Sequence, residues 1–171
     1  HEKEVCQALT EDLGKSETEG YMCEVGLTLA EIRGLYQNVK AYSKTKRVPV
    51  SMANFPAKGY LVQEPYGVTL VMSPWNYPFM LAMEPLAGAI AAGNCCVVKP
   101  SAYAPATSAV IAAIVKECFP EGYVAVIEGG RQENQELLEQ RFDYIFFTGS
   151  VSVGKLVMEK AAKHLTPVSL E

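Results

Sequence analysis

Residues 146–156 read FFTGSVSVGKL: an apolar run enters Gly149, four residues pass, and Gly154-Lys155 opens a helical pattern. The outline approaches the nucleotide-triphosphate loop G-x-x-x-x-G-K-[ST], whose backbone amides cradle phosphates and whose final hydroxyl holds Mg²⁺. Leu156 stands where that hydroxyl is required, so the stretch calls for a different phosphate chemistry. Glycines admit close approach, and Ser150 together with free amides at a helix start suits an anionic pyrophosphate without any metal. Two further stretches place polar groups at turns. In SPWNYPF, 73–79, two prolines hold an irregular loop with Trp75 and Asn76 at its tip, and the Asn76 carboxamide is suited to donate to an oxyanion that develops in a reaction. In VVKPSAYAP, Lys99 stands at the exit of an apolar strand, a positive donor suited to a ribose hydroxyl or a phosphate. Each of the three residues also has a plain alternative: Trp75 as core, Asn76 as a turn cap, Lys99 as surface charge.

These turns need elements to carry them. From residue 67 onward the chain alternates strand and helix: GVTLVMSP, then FMLAMEPLAGAIAAGN closing on Gly93-Asn94, then CCVVK, PATSAVIAAIVKECF, YVAVI, QENQELLEQ, DYIFFT, VSVGKLVMEKAAKHL and PVSL. Five strands alternating with four helices predict an α/β fold, a doubly wound, Rossmann-like parallel sheet covered on both faces. Ligands of such sheets sit beyond the carboxyl ends of the strands, where the three turns fall. Ahead of the sheet, Val5, Leu9 and Leu13 lie four apart and Leu27, Ile32 and Leu35 form a second stripe, which predicts N-terminal helices over 1–44. Between them, 45–66 is rich in proline, with short alternating runs such as GYLVQ, the composition of an extended arm. The expected division is therefore a helical segment 1–44, an arm 45–66 and a dinucleotide-binding domain 67–171.

Composition narrows the chemistry. A chain of 171 residues with 49% hydrophobic content and net charge −4 buries a core but offers no basic patch for nucleic acid or anionic membrane. The most apolar stretch, Phe79–Val98, is broken by Glu84, Pro85, Gly88, Gly93 and Asn94, so no membrane contact is expected and these residues read as cytoplasmic. Five cysteines without a C-x-x-C pair point to reduced thiols in place of a disulfide framework or zinc site, and no metal is expected.

Taken together, PWNYPF, GAIAAGNCCVVKPS, FTGSVSVGK and the closing AAKHLTPVSLE resemble, in order and separation, the motifs of the aldehyde dehydrogenase superfamily, and most closely its class-three, fatty-aldehyde branch. The resemblance implies an enzyme whose cysteine attacks an aldehyde, which passes a hydride to NAD or NADP and hydrolyses the thioester to a carboxylic acid. It implies that Asn76 is the oxyanion donor and that Trp75 and Lys99 contact the cofactor, with Lys99 on the adenosine ribose. Gly149, Ser150, Val151, Ser152, Val153 and Gly154 would form the pyrophosphate turn, and Glu171 would activate the hydrolytic water. It also implies a homodimer joined through the arm.

Two departures qualify this picture. Ala102 occupies a position where the family commonly carries an acidic ribose ligand, which weakens discrimination against a 2′-phosphate and keeps NADP beside NAD. No segment resembles the loop that bears the nucleophilic cysteine, so these residues are expected to be the cofactor-binding portion, inactive alone, of an aldehyde-oxidising enzyme. The alternatives are a non-catalytic dinucleotide-binding or assembly module, and a phosphotransferase binding Mg-ATP.

Overall fold

The computed structural model describes residues 1–171. Its centre is a five-stranded parallel sheet: β3 (Val68–Met72), β4 (Cys95–Lys99), β5 (Val124–Val126), β6 (Tyr144–Phe147) and β7 (Val168–Leu170), in spatial order β5-β4-β3-β6-β7. The order starts in the middle and grows outward in both directions, so the chain reverses sense between β3 and β6. Right-handed crossovers then send helices to opposite faces. Helices α4 (Met80–Ala91) and α5 (Pro105–Cys118) cover one face, and α6 (Arg131–Leu138) and α7 (Val151–Ala162) belong to the other.

Alternation along β3 separates two cores. Val71 joins Leu86, Cys96, Val98, Ile111 and Val115 on the first face, whereas Leu70 and Met72 join Ile145, Phe147, Val157 and Ala161 on the second. Cys96 points into the first core while its neighbour Cys95 is only half-buried. Helix α4 carries Pro85 in its interior, which leaves the Leu81 carbonyl without its usual helical donor.

The N-terminal segment is α1 (Glu2–Leu13), a short α2 (Glu17–Gly20), a π turn over Tyr21–Val25 and α3 (Gly26–Tyr42). Val5, Cys6 and Leu9 of α1 enter the first core and pack on the same cluster as α5. The second stripe behaves differently: Leu27 and Ile32 are exposed, and Thr28 is the one buried side chain of α3. The reason is one-sided packing, because α3 rests on α4 alone and leaves an apolar groove of about 370 Å³ where Ile32, Leu35 and Tyr36 face Met83 and Ile90.

Two carboxylates from this segment cap the helices of the sheet. Position 104 is alanine and cannot cap α5, so Asp12 does it from α1: Oδ1 accepts from Ala106 N at 3.1 Å, and Oδ2 from Thr107 N and Thr107 Oγ1 at 2.7 Å each. Glu24, in the π turn, accepts from Phe79 N at 2.8 Å and Met80 N at 3.2 Å at the start of α4. The arm is a two-stranded antiparallel ribbon of β1 (Lys46–Val48) and β2 (Gly59–Leu61), with Met52, Phe55, Tyr60 and Leu61 exposed. No helix is long and apolar enough to cross a membrane.

Candidate functional site

Register aligns the strand ends. Met72 pairs with Lys99 on one side and Phe147 on the other, and Phe147 pairs with Leu170, so β4, β3, β6 and β7 finish at one level. With neighbouring strands about 4.8 Å apart, the exits of β4 and β7 lie roughly 15 Å from each other along one edge. The loops bearing Trp75 and Asn76, Lys99, Gly149–Gly154 and Glu171 all leave from that edge. The reversal of chain sense falls between β3 and β6, where a doubly wound sheet opens a crevice.

The loop after β3 leaves Trp75 54% exposed and Asn76 exposed. The Asn76 carbonyl accepts from Lys15 Nζ at 2.9 Å, so the residue is held by its backbone while its carboxamide stands at the loop tip. Directly before it, the Ser73 hydroxyl is buried without a hydrogen-bond partner.

Lys99 lies deeper than a surface strand-end lysine: it is 2% exposed. Its Nζ donates to the Pro100 carbonyl at 2.8 Å and the Gly129 carbonyl at 2.6 Å, tying the exit of β4 to the turn after β5. An ammonium carries three donors, of which two are used by these carbonyls and one is not. Burial pushes its pKa below the ordinary 10.5, against the opposing pull of Glu133 and Glu128. Glu133 in turn accepts from Gly130 N at 2.6 Å, and its own carboxyl is held low by backbone hydrogen bonds.

Beyond β6, Ser150 is the N-cap of α7, its Oγ accepting from Val153 N at 3.4 Å and lying 3.1 Å from Ser152 Oγ. The amides of Val151 and Ser152, in the first turn, have no intrahelical acceptor, and they carry the positive end of the helix dipole. The two glycines of this turn differ. A Cβ at Gly149 would meet the Phe147 ring at 2.7 Å, whereas one at Gly154 would find nothing nearer than 3.6 Å. Gly149, Ser150, Val151, Gly154, Lys155 and Glu171 line a cleft of about 220 Å³. Glu171 closes it: its backbone pairs with Phe147 and Gly149, and its exposed carboxylate takes a long 3.4 Å hydrogen bond from Thr148 Oγ1.

None of the five cysteines lies in the turns that leave this edge. Cys95 and Cys96 open β4, at the opposite edge of the sheet, and burial pushes the Cys96 thiol up to about 11. Burial likewise raises Cys6. The groups missed in sequence are Asp12, Lys15 and Glu24, which act across separations of 94, 61 and 55 residues and leave no local pattern.

Comparison with known proteins agrees with the motifs. The model of the "Aldehyde dehydrogenase family" matches residues 1–171. Among curated relatives, 4,4'-diaponeurosporen-aldehyde dehydrogenase of Staphylococcus aureus is 46% identical over 171 residues, all of this chain and 37% of that protein. Aldehyde dehydrogenase family 3 member B1 of Homo sapiens is 46% identical over 164 residues, 96% of this chain and 35% of that protein. Among solved structures, a substrate-bound state of Staphylococcus aureus AldH superposes with a TM-score of 0.97 at 46% identity, covering 99% of this chain and 37% of that one. Aldehyde dehydrogenase from Bacillus cereus superposes at 0.89 with 26% identity, covering 100% of this chain and 35% of that one. The chain thus spans little more than a third of the length of these relatives.

Proposed function

Because the chain belongs to the aldehyde dehydrogenase family over residues 1–171, we propose that it is the dinucleotide-binding part of an NAD- or NADP-dependent enzyme that oxidises an aldehyde to a carboxylic acid. The observation that supports this reading most is the common level of four strand ends, with every motif turn leaving from one edge beside the reversal point.

The residues suit a dinucleotide. The Ser150 hydroxyl and the amides of Val151 and Ser152 would hold the pyrophosphate, Gly149 and Gly154 giving it approach, with Val153 completing the turn. Lys99 would give its third proton to the adenosine ribose, and the unpartnered Ser73 hydroxyl marks a polar position awaiting a ligand at the same edge. Trp75 would flank the cofactor. Ala102 is exposed and supplies no carboxylate against a 2′-phosphate, which keeps NADP beside NAD. When bound, the cofactor supplies hydride acceptance.

Of the chain's own groups, Asn76 would donate its amide N–H to the oxyanion, and Glu171 would take a proton from the hydrolytic water. The thiol nucleophile lies outside these residues in this reading, in keeping with the raised Cys6 and Cys96 and the absence of any cysteine at the turns. We take the division into 1–44, 45–66 and 67–171 as the functional one. The exposed apolar ribbon of 45–66 would pair two copies of a cytoplasmic enzyme.

Calorimetric titration with NAD, NADP and Mg-ATP tests the proposal. One dinucleotide is expected to bind, and Lys99→Ala and Ser150→Ala should each weaken it about tenfold, the scale of one hydrogen bond to a charged group. Preference for Mg-ATP, or a dinucleotide affinity indifferent to both substitutions, would refute it.

A further inference from the structure

We infer that the buried Lys15–Glu24 ion pair is the positioning device for Asn76, an inference that rests on the catalytic reading of that residue. Lys15 is placed by the end of α1: Gly14 takes a left-handed conformation at φ 70°, and Thr10 Oγ1 donates to the Lys15 carbonyl at 2.6 Å. Its Nζ then meets Glu24 Oε1 at 2.6 Å, donates to the Asn76 carbonyl at 2.9 Å and sits 4.2 Å above the Tyr77 ring. Glu24 is fully buried, and its second oxygen holds Phe79 N and Met80 N. The pair therefore grips the loop on both sides of Pro78, at 76–77 through the cation and at 79–80 through the anion.

Stability alone gives little reason for this arrangement. A buried ion pair loses hydration on both partners, and well-packed apolar residues often serve a fold equally well. The pair also sits where α2 and α3 are joined by a π turn, a local irregularity that brings Glu24 to face α4. What the pair supplies is geometry. The loop contains two prolines and exposed Trp75 and Asn76, and no strand or helix of its own fixes residue 76. An amide donor to a developing oxyanion must be held in place before the charge appears.

The test is kinetic coupling in the full-length protein, with octanal and its preferred dinucleotide. Lys15→Met is expected to lower kcat about tenfold with a smaller rise in dinucleotide Kd, about threefold, since Trp75 alone of the cofactor contacts sits on the loosened loop, and Lys15→Arg should recover most of the loss in kcat. In an Asn76→Ala background Lys15→Met should cost nothing further, because the group it positions is gone. An equal loss in both backgrounds would overturn the inference, as would an unchanged kcat in Lys15→Met. Glu24→Gln, which keeps an acceptor for Phe79 N, provides a second variant should Lys15→Met fold poorly.

Absence of aldehyde oxidation, or an Asn76→Ala variant with full kcat, would remove the catalytic reading instead. The grip on the loop is then decided in this chain by Trp75, its single tryptophan. Acrylamide quenching of Trp75 should rise in Lys15→Met at unchanged far-UV circular dichroism, and an unchanged quenching constant overturns the grip.

Discussion

Replacing Asp12 by alanine should destabilise the chain by about 2–3 kcal/mol. The carboxylate makes three hydrogen bonds at the start of α5, two of them 2.7 Å long, and the Thr107 side chain it holds is completely buried. Loss of a helix cap costs about 0.5–2 kcal/mol and loss of a negative charge at a helix N-terminus about 0.3–1. Orphaning the Thr107 hydroxyl and amide carries the total toward the upper end, since buried donors without acceptors cost about 1–3 kcal/mol and here water gains partial access through the truncated site. For a chain of this length each kcal/mol moves Tm by about 2–4 °C, so a drop of about 5–10 °C is expected. Asp12→Asn keeps one acceptor and the shape of the side chain, and should lose less than half as much. Urea unfolding followed by far-UV circular dichroism measures both variants against the parent. If Asp12→Ala costs under about 0.5 kcal/mol, or Asp12→Asn is as damaging as alanine, the cap assignment is wrong.

Gly149→Ala should destabilise by about 1–3 kcal/mol, because its Cβ meets the buried Phe147 ring at 2.7 Å. Gly154→Ala should instead be neutral or raise stability by up to about 1 kcal/mol through helix propensity, since its Cβ has 3.6 Å of room. Thermal melts of the two variants check this opposition, and equal effects would contradict it. Lys99 predicts a pH dependence: burial puts its folded pKa below 10.5, so between that lowered value and 10.5 the unfolded chain binds more protons and stability rises with pH. The urea midpoint of the parent relative to Lys99→Met should climb across that window, and a flat difference would show that Lys99 titrates normally.

The sheet was legible because its strands are apolar runs punctuated by turn residues, and β3, β4 and β6 are buried from both sides, a pattern that helices of this length do not share. That turns follow the strands was legible too, since proline and glycine punctuate apolar runs, whereas Lys99 read equally well as surface charge. Strand order was not, because alternation of elements fixes the class of sheet but leaves open which neighbour each strand takes. The stripe of Leu27, Ile32 and Leu35 marked a helix, as found, but did not tell that this helix packs on one side only. Asp12, Lys15 and Glu24 leave no local pattern in the sequence to set them apart from other charged residues of the N-terminal segment. Apart from the contact of Lys15 with Glu24, nine residues along, their partners lie 55 or more residues away, and only tertiary packing turns them inward.

The dependence of α5 on Asp12 has a bearing on biosynthesis. The acceptor leaves the ribosome 95 residues before Thr107, which at about 5–20 residues per second is a wait of roughly 5–20 s. During that interval α1 lacks α5, and Val5, Cys6 and Leu9 lack the Ile111 and Val115 side of their core. Helix α1 is therefore a stretch that waits long for its packing partner during translation, and slowing elongation between the codons for residues 13 and 107 would lengthen that wait.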